Sequence, residues 1–153
     1  MSDAEFKPPR LLPPHYALLS ATAIILLGLY VKDPLDLGIW RYLGILDIAI
    51  AVTLMVYAAR QFAKAKTNII PLTQSTALVT DGAFRHTRNP MYLGMIVALG
   101  GLAIFMNSAY AWFVVAAFAV IIRTAFVRRE EALMLQTFGD AYRQYQQQTR
   151  RWV

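Results

Sequence analysis

Two short segments concentrate the reactive side chains of this chain. One is Arg85-His86-Thr87-Arg88-Asn89-Pro90-Met91-Tyr92-Leu93-Gly94; the other is Arg128-Arg129-Glu130-Glu131. Between them they offer guanidinium cations, an amide, a phenol and paired carboxylates, with about 40 residues separating the two. Arginines beside apolar stretches have an ordinary use, anchoring helix ends to lipid phosphates. Paired carboxylates at an anionic surface have no such use. They need partners, and a zwitterionic or cationic ligand is one kind. Pro90 costs little in the first turn of a helix and would start one there. With Asn89 and the free amides of that helix end, the same spot could also hold a carboxylate. Gly94, one turn further in, allows close approach by a neighbouring helix or a ligand. Asp47 lies inside an apolar run, where an acidic side chain either bonds a neighbouring helix or serves a substrate. Arg123 either snorkels to the surface or reaches into a site. Both are taken as candidate substrate-binding residues. Phe138, Tyr142 and Tyr145 recur at helical spacing, as a buried face or as a cover for an aromatic, cationic ligand. The chain has no cysteine, and its two histidines, His15 and His86, are far apart, so no metal site and no thiol nucleophile are expected.

The elements that must position these residues are membrane helices. Of the 153 residues, 58% are hydrophobic and 16% charged, more apolar material than so short a soluble chain can bury. A spanning helix needs about 20 apolar residues. Stretches near 12–31, 39–59, 90–106 and 109–127 fit or nearly fit, the third being short, which gives an all-α integral membrane protein with about four crossings in a single domain, 1–153. Only Asn107 and Ser108 part the last two spans, so those must form a tight hairpin. Basic residues set the orientation. Lys7 and Arg10 precede the first span, Arg60, Lys64, Lys66, Arg85 and Arg88 lie in the loop 60–89, and Arg128, Arg129, Arg143, Arg150 and Arg151 lie in the tail 128–153. The positive-inside rule then places both termini, the loop and the tail in the cytoplasm, with a bacterial inner membrane as the expected location. The net charge of +6 reads as orientation against anionic lipid, with membrane lipids and not nucleic acid as partners. Gly139 reads as a helix C-cap and Asp140 as the cap of a second short tail helix. The hairpin makes the mouth of span three and the exit of span four neighbours, so the two reactive segments converge at one water–lipid boundary.

At these motifs the sequence resembles the membrane methyltransferase superfamily, which includes isoprenylcysteine carboxyl methyltransferases and phospholipid N-methyltransferases. The resemblance runs through Leu78-Val79-Thr80-Asp81-Gly82-Ala83-Phe84-Arg85, then Arg88-Asn89-Pro90-Met91-Tyr92-Leu93-Gly94. It continues in Glu130-Glu131, Phe138-Gly139-Asp140-Ala141-Tyr142, Tyr145 and Arg150-Arg151-Trp152. It implies methyl transfer from S-adenosylmethionine to a lipophilic small-molecule acceptor carrying a carboxylate, amine or thiol. Arg88, Asn89, Pro90, Tyr92, Gly94, Glu130, Glu131 and Tyr142 would contact the cofactor, with Glu131 and Arg88 in catalytic roles and Glu131 as the proton acceptor an amine would require. The chain carries no Gly-x-Gly-x-x-Gly fingerprint on a strand, so a soluble-type dinucleotide fold is not expected. Isoprenylcysteine enzymes usually have histidine where this chain has Asn89, whereas phospholipid methyltransferases commonly have asparagine. Two other readings share parts of the pattern: an NADPH-dependent reductase of the sterol-reductase type, and a non-catalytic scaffold or lipid binder.

Overall fold

Residues 10–33, 35–73 and 75–153 are described in the computed structural model; Lys7, read above as part of the basic flank, lies outside them. The described residues form helices and loops, with no strand among them. Helix α1 spans Pro13–Tyr30, α2 Leu43–Lys64, α3 Pro90–Phe105 and α4 Ala111–Ile122. A π-helical turn, Arg123–Val127, carries α4 directly into α5, Arg128–Phe138, and α6 follows at Asp140–Gln148. Single 3-10 turns precede α2, at Gly38–Tyr42, and lie in the long loop, at Gly82–Arg85.

The apolar pattern explains which helix sits inside. Helix α3 is apolar all round, which suits a helix enclosed by others. It packs against α1, α2 and α4 and buries Leu99, Gly100, Gly101 and Ala103. Its 16 residues make a rod of about 24 Å, less than the roughly 30 Å hydrocarbon core. Pro90 fixes one end, and Asn107, at φ +58°, turns the chain at the other. Three longer units are apolar enough to cross a membrane: Pro13–Tyr30, Gly38–Lys64 and Ala111–Phe138. They expose large apolar side chains such as Leu18, Leu29, Ile39 and Phe113, as lipid-facing helices must. The fourth expected span is therefore present as the short central helix.

Glycines set the closest crossing. A Cβ on Gly101 would lie 2.7 Å from the carbonyl oxygen of Gly44, and one on Gly94 would lie 2.5 Å from Cγ of Met55. Helices α2 and α3 thus run antiparallel with their backbones nearly touching, the role small residues play inside membranes. Gly94, expected to contact a cofactor, is used for this packing instead. At the hairpin end, Asp33 accepts from the Ser108 hydroxyl at 2.9 Å and from the Tyr110 amide at 3.1 Å. Asn107 accepts from the Leu37 amide and donates to the Leu35 carbonyl, both at 2.8 Å.

The opposite end is capped. The loop after α2 and the two tail helices pack Ala83, Phe84, Tyr142 and Tyr145 around Ala58, with Phe62, Met134 and Phe138 against them. Gly139 takes φ +51°, open to glycine at no steric cost, and breaks the tail into two helices as its position predicted. Asp140 is not the cap. The cap position belongs to Gly139, and the Asp140 carboxylate pairs instead with Arg143, at 3.0 Å.

Candidate functional site

The two reactive segments meet at the capped end, and their partners come from the tail. Glu131 is buried, and both of its oxygens are taken. Arg88 donates to Oε1 through Nη2 at 2.9 Å and through Nε at 3.3 Å. Arg151 donates through Nε to Oε1 at 3.0 Å and to Oε2 at 3.1 Å, and adds a further bond from Nη2 to Oε2. Paired guanidiniums are what a buried carboxylate needs in order to remain charged. The hydrogen bonds to Glu131 in turn raise the Arg151 guanidinium above its usual value.

The backbone completes the closure. Arg88 donates its amide to the Arg150 carbonyl at 2.9 Å and its Nη1 to the carbonyls of Thr149 and Gln146. The Arg151 carbonyl accepts from the Thr87 hydroxyl at 3.0 Å and from Asn89 Nδ2 at 3.1 Å. Asn89 precedes α3 without capping it through its side chain. Its amide holds the tail. The Tyr145 hydroxyl donates to the Phe84 carbonyl at 2.6 Å, tying α6 to the loop. Burial pushes the Tyr142 hydroxyl up to about 12 and raises Tyr145 as well, so both rings stay neutral.

Glu130 is in different surroundings from Glu131. Its Oε1 accepts from the Tyr92 hydroxyl at 2.8 Å, and the side chain faces open space. The π turn just upstream matters here. It offsets the residues after it from the α register of α4, so the paired glutamates need not continue the face of the span. Expected as the proton acceptor, Glu131 has a guanidinium at each site a proton would take. Both glutamates line the polar chamber, but only Glu130 also lines the apolar one, and it has no guanidinium partner among the described residues.

Two chambers meet at this point. The polar one, about 670 Å³ including its mouth, is lined by Arg88, Asn89, Glu130, Glu131, Tyr142 and Tyr145 along with loop residues. The apolar one, about 830 Å³ on the same measure, lies between the starts of α1 and α3, lined by Pro13, Pro14, Pro90, Met91, Tyr92 and Met95 among others. Phe62, Phe84, Arg88, Asn89 and Glu130 line both, so the chambers adjoin at these side chains. Phe62 and Phe84 stand edge to face, centroids 5.3 Å apart, at that junction. Leu72, on the polar chamber's wall, is buried at φ +58°, a backbone state leucine rarely takes.

The remaining sequence candidates divide clearly. Arg88, Asn89, Pro90, Tyr92, Glu130, Glu131 and Tyr142 all line one or both chambers. Asp47 does not: it lines a separate groove with Trp40, Leu35 and Trp112 near the hairpin end. Arg123, the first residue of the π turn, is exposed and lines neither chamber. Four side chains had not been named as site candidates: Arg151, Phe62, Phe84 and Met95. Arg151 sits in the Arg150-Arg151-Trp152 ending and Phe84 in the stretch that ends Phe84-Arg85, signals that were legible; Phe62 and Met95 are apolar residues with none.

The described residues thus form a helical membrane bundle with a polar chamber beside an apolar one. Comparison with known proteins narrows this. The family model described as phospholipid methyltransferase matches residues 39–141, and the chain belongs to that family of membrane methyltransferases. An uncharacterized protein of Haemophilus influenzae is 35% identical over 63 residues, covering 41% of this chain and 100% of the relative. No solved structure matches the chain.

Proposed function

We propose that the protein transfers a methyl group from S-adenosylmethionine to a lipophilic acceptor at the cytoplasmic face of a bacterial inner membrane. The observation that carries this reading is the junction of the two chambers at Arg88, Asn89 and Glu130. The polar chamber suits the cofactor's chemistry: the Glu130 carboxylate for its amino group, the Asn68 amide and Ser75 hydroxyl as donors for its carboxylate, and aromatic rings such as Tyr142 for its base. When bound there, the cofactor supplies a methyl group on an already activated sulfonium.

The chain's own residues then have positional work. Arg88, Glu131 and Arg151 hold the tail over the chamber, and Phe62 and Phe84 wall the junction against water. Such ordering and dehydration are able to supply several kcal/mol of rate. Glu130, held by Tyr92, is the group placed to accept a proton from an amine or thiol acceptor as the new bond forms. A carboxylate acceptor has no proton to give up, and the nearest cations, Arg88 and Arg151, are already bonded to Glu131. The arrangement therefore favours an amine or a thiol. The clustering of basic residues at this end supports the cytoplasmic orientation.

The test is incubation of membranes containing the protein with methyl-labelled S-adenosylmethionine, followed by identification of the labelled lipid. A labelled amine or thiol lipid that depends on Glu130 is expected. Absence of any transfer, with a thermal shift by NADPH and none by S-adenosylmethionine, overturns the reading in favour of a reductase.

A further inference from the structure

The apolar chamber has an unusual wall. Pro13 and Pro14 open α1, Pro90 opens α3, and Pro71 closes the loop side, and all four line the same cavity. The first turn of a helix normally presents N–H groups without intrahelical partners. Proline has no N–H to present. Where two helices begin against one chamber, prolines at both first turns remove donors that an apolar occupant would leave unsatisfied. The His15 amide, next in α1, is bonded to the Leu12 carbonyl at 2.9 Å. Met91 and Met95 supply adaptable apolar side chains along α3. Ile69 and Ile70, which line the cavity, are exposed, as is Leu11 beside it, so the opening is framed by apolar surface.

The family match covers residues 39–141, whereas Leu12, Pro13 and Pro14 precede it. The polar end of the junction lies on matched positions, Arg88, Asn89 and Glu130. The wall from α1 lies outside the matched residues.

We propose that the entry of α1 is the specificity element of the enzyme. Leu12, Pro13 and Pro14, with Met91, Met95 and Pro71, form a slot that receives the hydrocarbon chain of the acceptor while its head group sits at Glu130. This rests on the methyl-transfer reading for the identity of the occupant as acceptor. The slot shares Arg88, Asn89 and Glu130 with the polar chamber, which argues for the acceptor's chain over a bulk lipid, which has no need of a head-group site.

The experiment uses the full chain in detergent micelles, with hexadecylamine carrying a terminal diazirine as the probe and a butylamine analogue as the short comparison. After illumination, mass spectrometry is expected to place the label on the peptides holding Leu12–Pro14 and Met91–Met95, with excess unmodified hexadecylamine removing it. The butylamine analogue should label these peptides weakly. Met95→Trp, which fills the slot, should reduce labelling about tenfold. Pro14→Trp, at an exposed position where folding is less at risk, should do the same. Calorimetric binding of S-adenosylmethionine should be unchanged in both variants, and its absence in the unsubstituted protein sinks the methyl-transfer reading separately. Label spread over the outer faces of α2 and α4, or label indifferent to competitor and to both tryptophans, means bulk lipid only and overturns the proposal.

Discussion

At the hairpin end of the bundle, polar groups close on one another. Asp33, Asn107 and Ser108 exchange hydrogen bonds with each other's segments and with the nearby backbone, and what they form is a fastening. The opposite end has more charge, and there the polar groups border open space. Glu131 joins α5 to Arg88 at the mouth of α3 and to Arg151 in the tail, while Glu130, one residue earlier, is left at the edge of two chambers. Polar residues inside a membrane protein are costly, and the two ends offset that cost differently. One end satisfies every role locally and gains a turn. The other satisfies Glu131 so that Glu130 can remain available.

Breaking the clamp should have the largest effect. Glu131→Gln removes the charge that two guanidiniums share, and Arg88 is largely buried, so about 3 kcal/mol of site stability is at stake. Methyl transfer is expected to fall about a hundredfold or more, read as labelled product per unit of folded protein. Next comes the helix crossing that holds the ends apart. Gly101→Leu forces a side chain against the Gly44 backbone and should cost about 1–3 kcal/mol, measured as a lowered melting temperature in detergent. Because it sits at the packing seam, it tests the scaffold common to both ends. Tyr92→Phe is milder. It deletes one bond to Glu130, worth about 0.5–1.5 kcal/mol, and should lower the rate several-fold and the melting temperature by a few degrees.

How much of this the residues disclosed in advance differs between the two ends as well. The hairpin was legible, because two polar residues between apolar runs leave room only for a turn, and so was the break at Gly139. The meeting of Arg88 with the glutamates followed from counting crossings. The same count already put Asp47, one turn into α2, at the far end, so its place outside the chambers needed no coordinates. What sequence did not disclose depends on tertiary contact. That Arg151 and not a ligand satisfies Glu131 rests on the return path of the tail over Asn89. The division of labour between adjacent glutamates depends on the π turn, which leaves no mark in composition. Gly94 was ambiguous between ligand and helix because a missing Cβ serves either, and Met55 decided it.

The smallest expected effect belongs to the hairpin end. Desolvation works to raise the Asp33 carboxyl, but the Leu35, Ala109 and Tyr110 amides and the Ser108 hydroxyl outweigh it and hold it at about 2, below its ordinary 3.8. A lowered folded-state value means that its stabilisation is fully present above 3.8 and fades as the pH falls through about 2. Ser108→Ala should therefore lower the melting temperature by a few degrees near neutrality, and the gap from wild type should narrow at the acid end. Methyl transfer should not change, since nothing at that end lines either chamber.

The measurement that bears most directly on the site is calorimetric titration of S-adenosylmethionine into purified protein and into Glu131→Gln, with Ser108→Ala as the far-end control. Saturable binding to the wild type and to Ser108→Ala, weakened at least about tenfold in Glu131→Gln, is the result predicted. Binding of equal strength in all three proteins, or none in the wild type, would contradict a cofactor chamber closed by the Arg88–Glu131–Arg151 clamp.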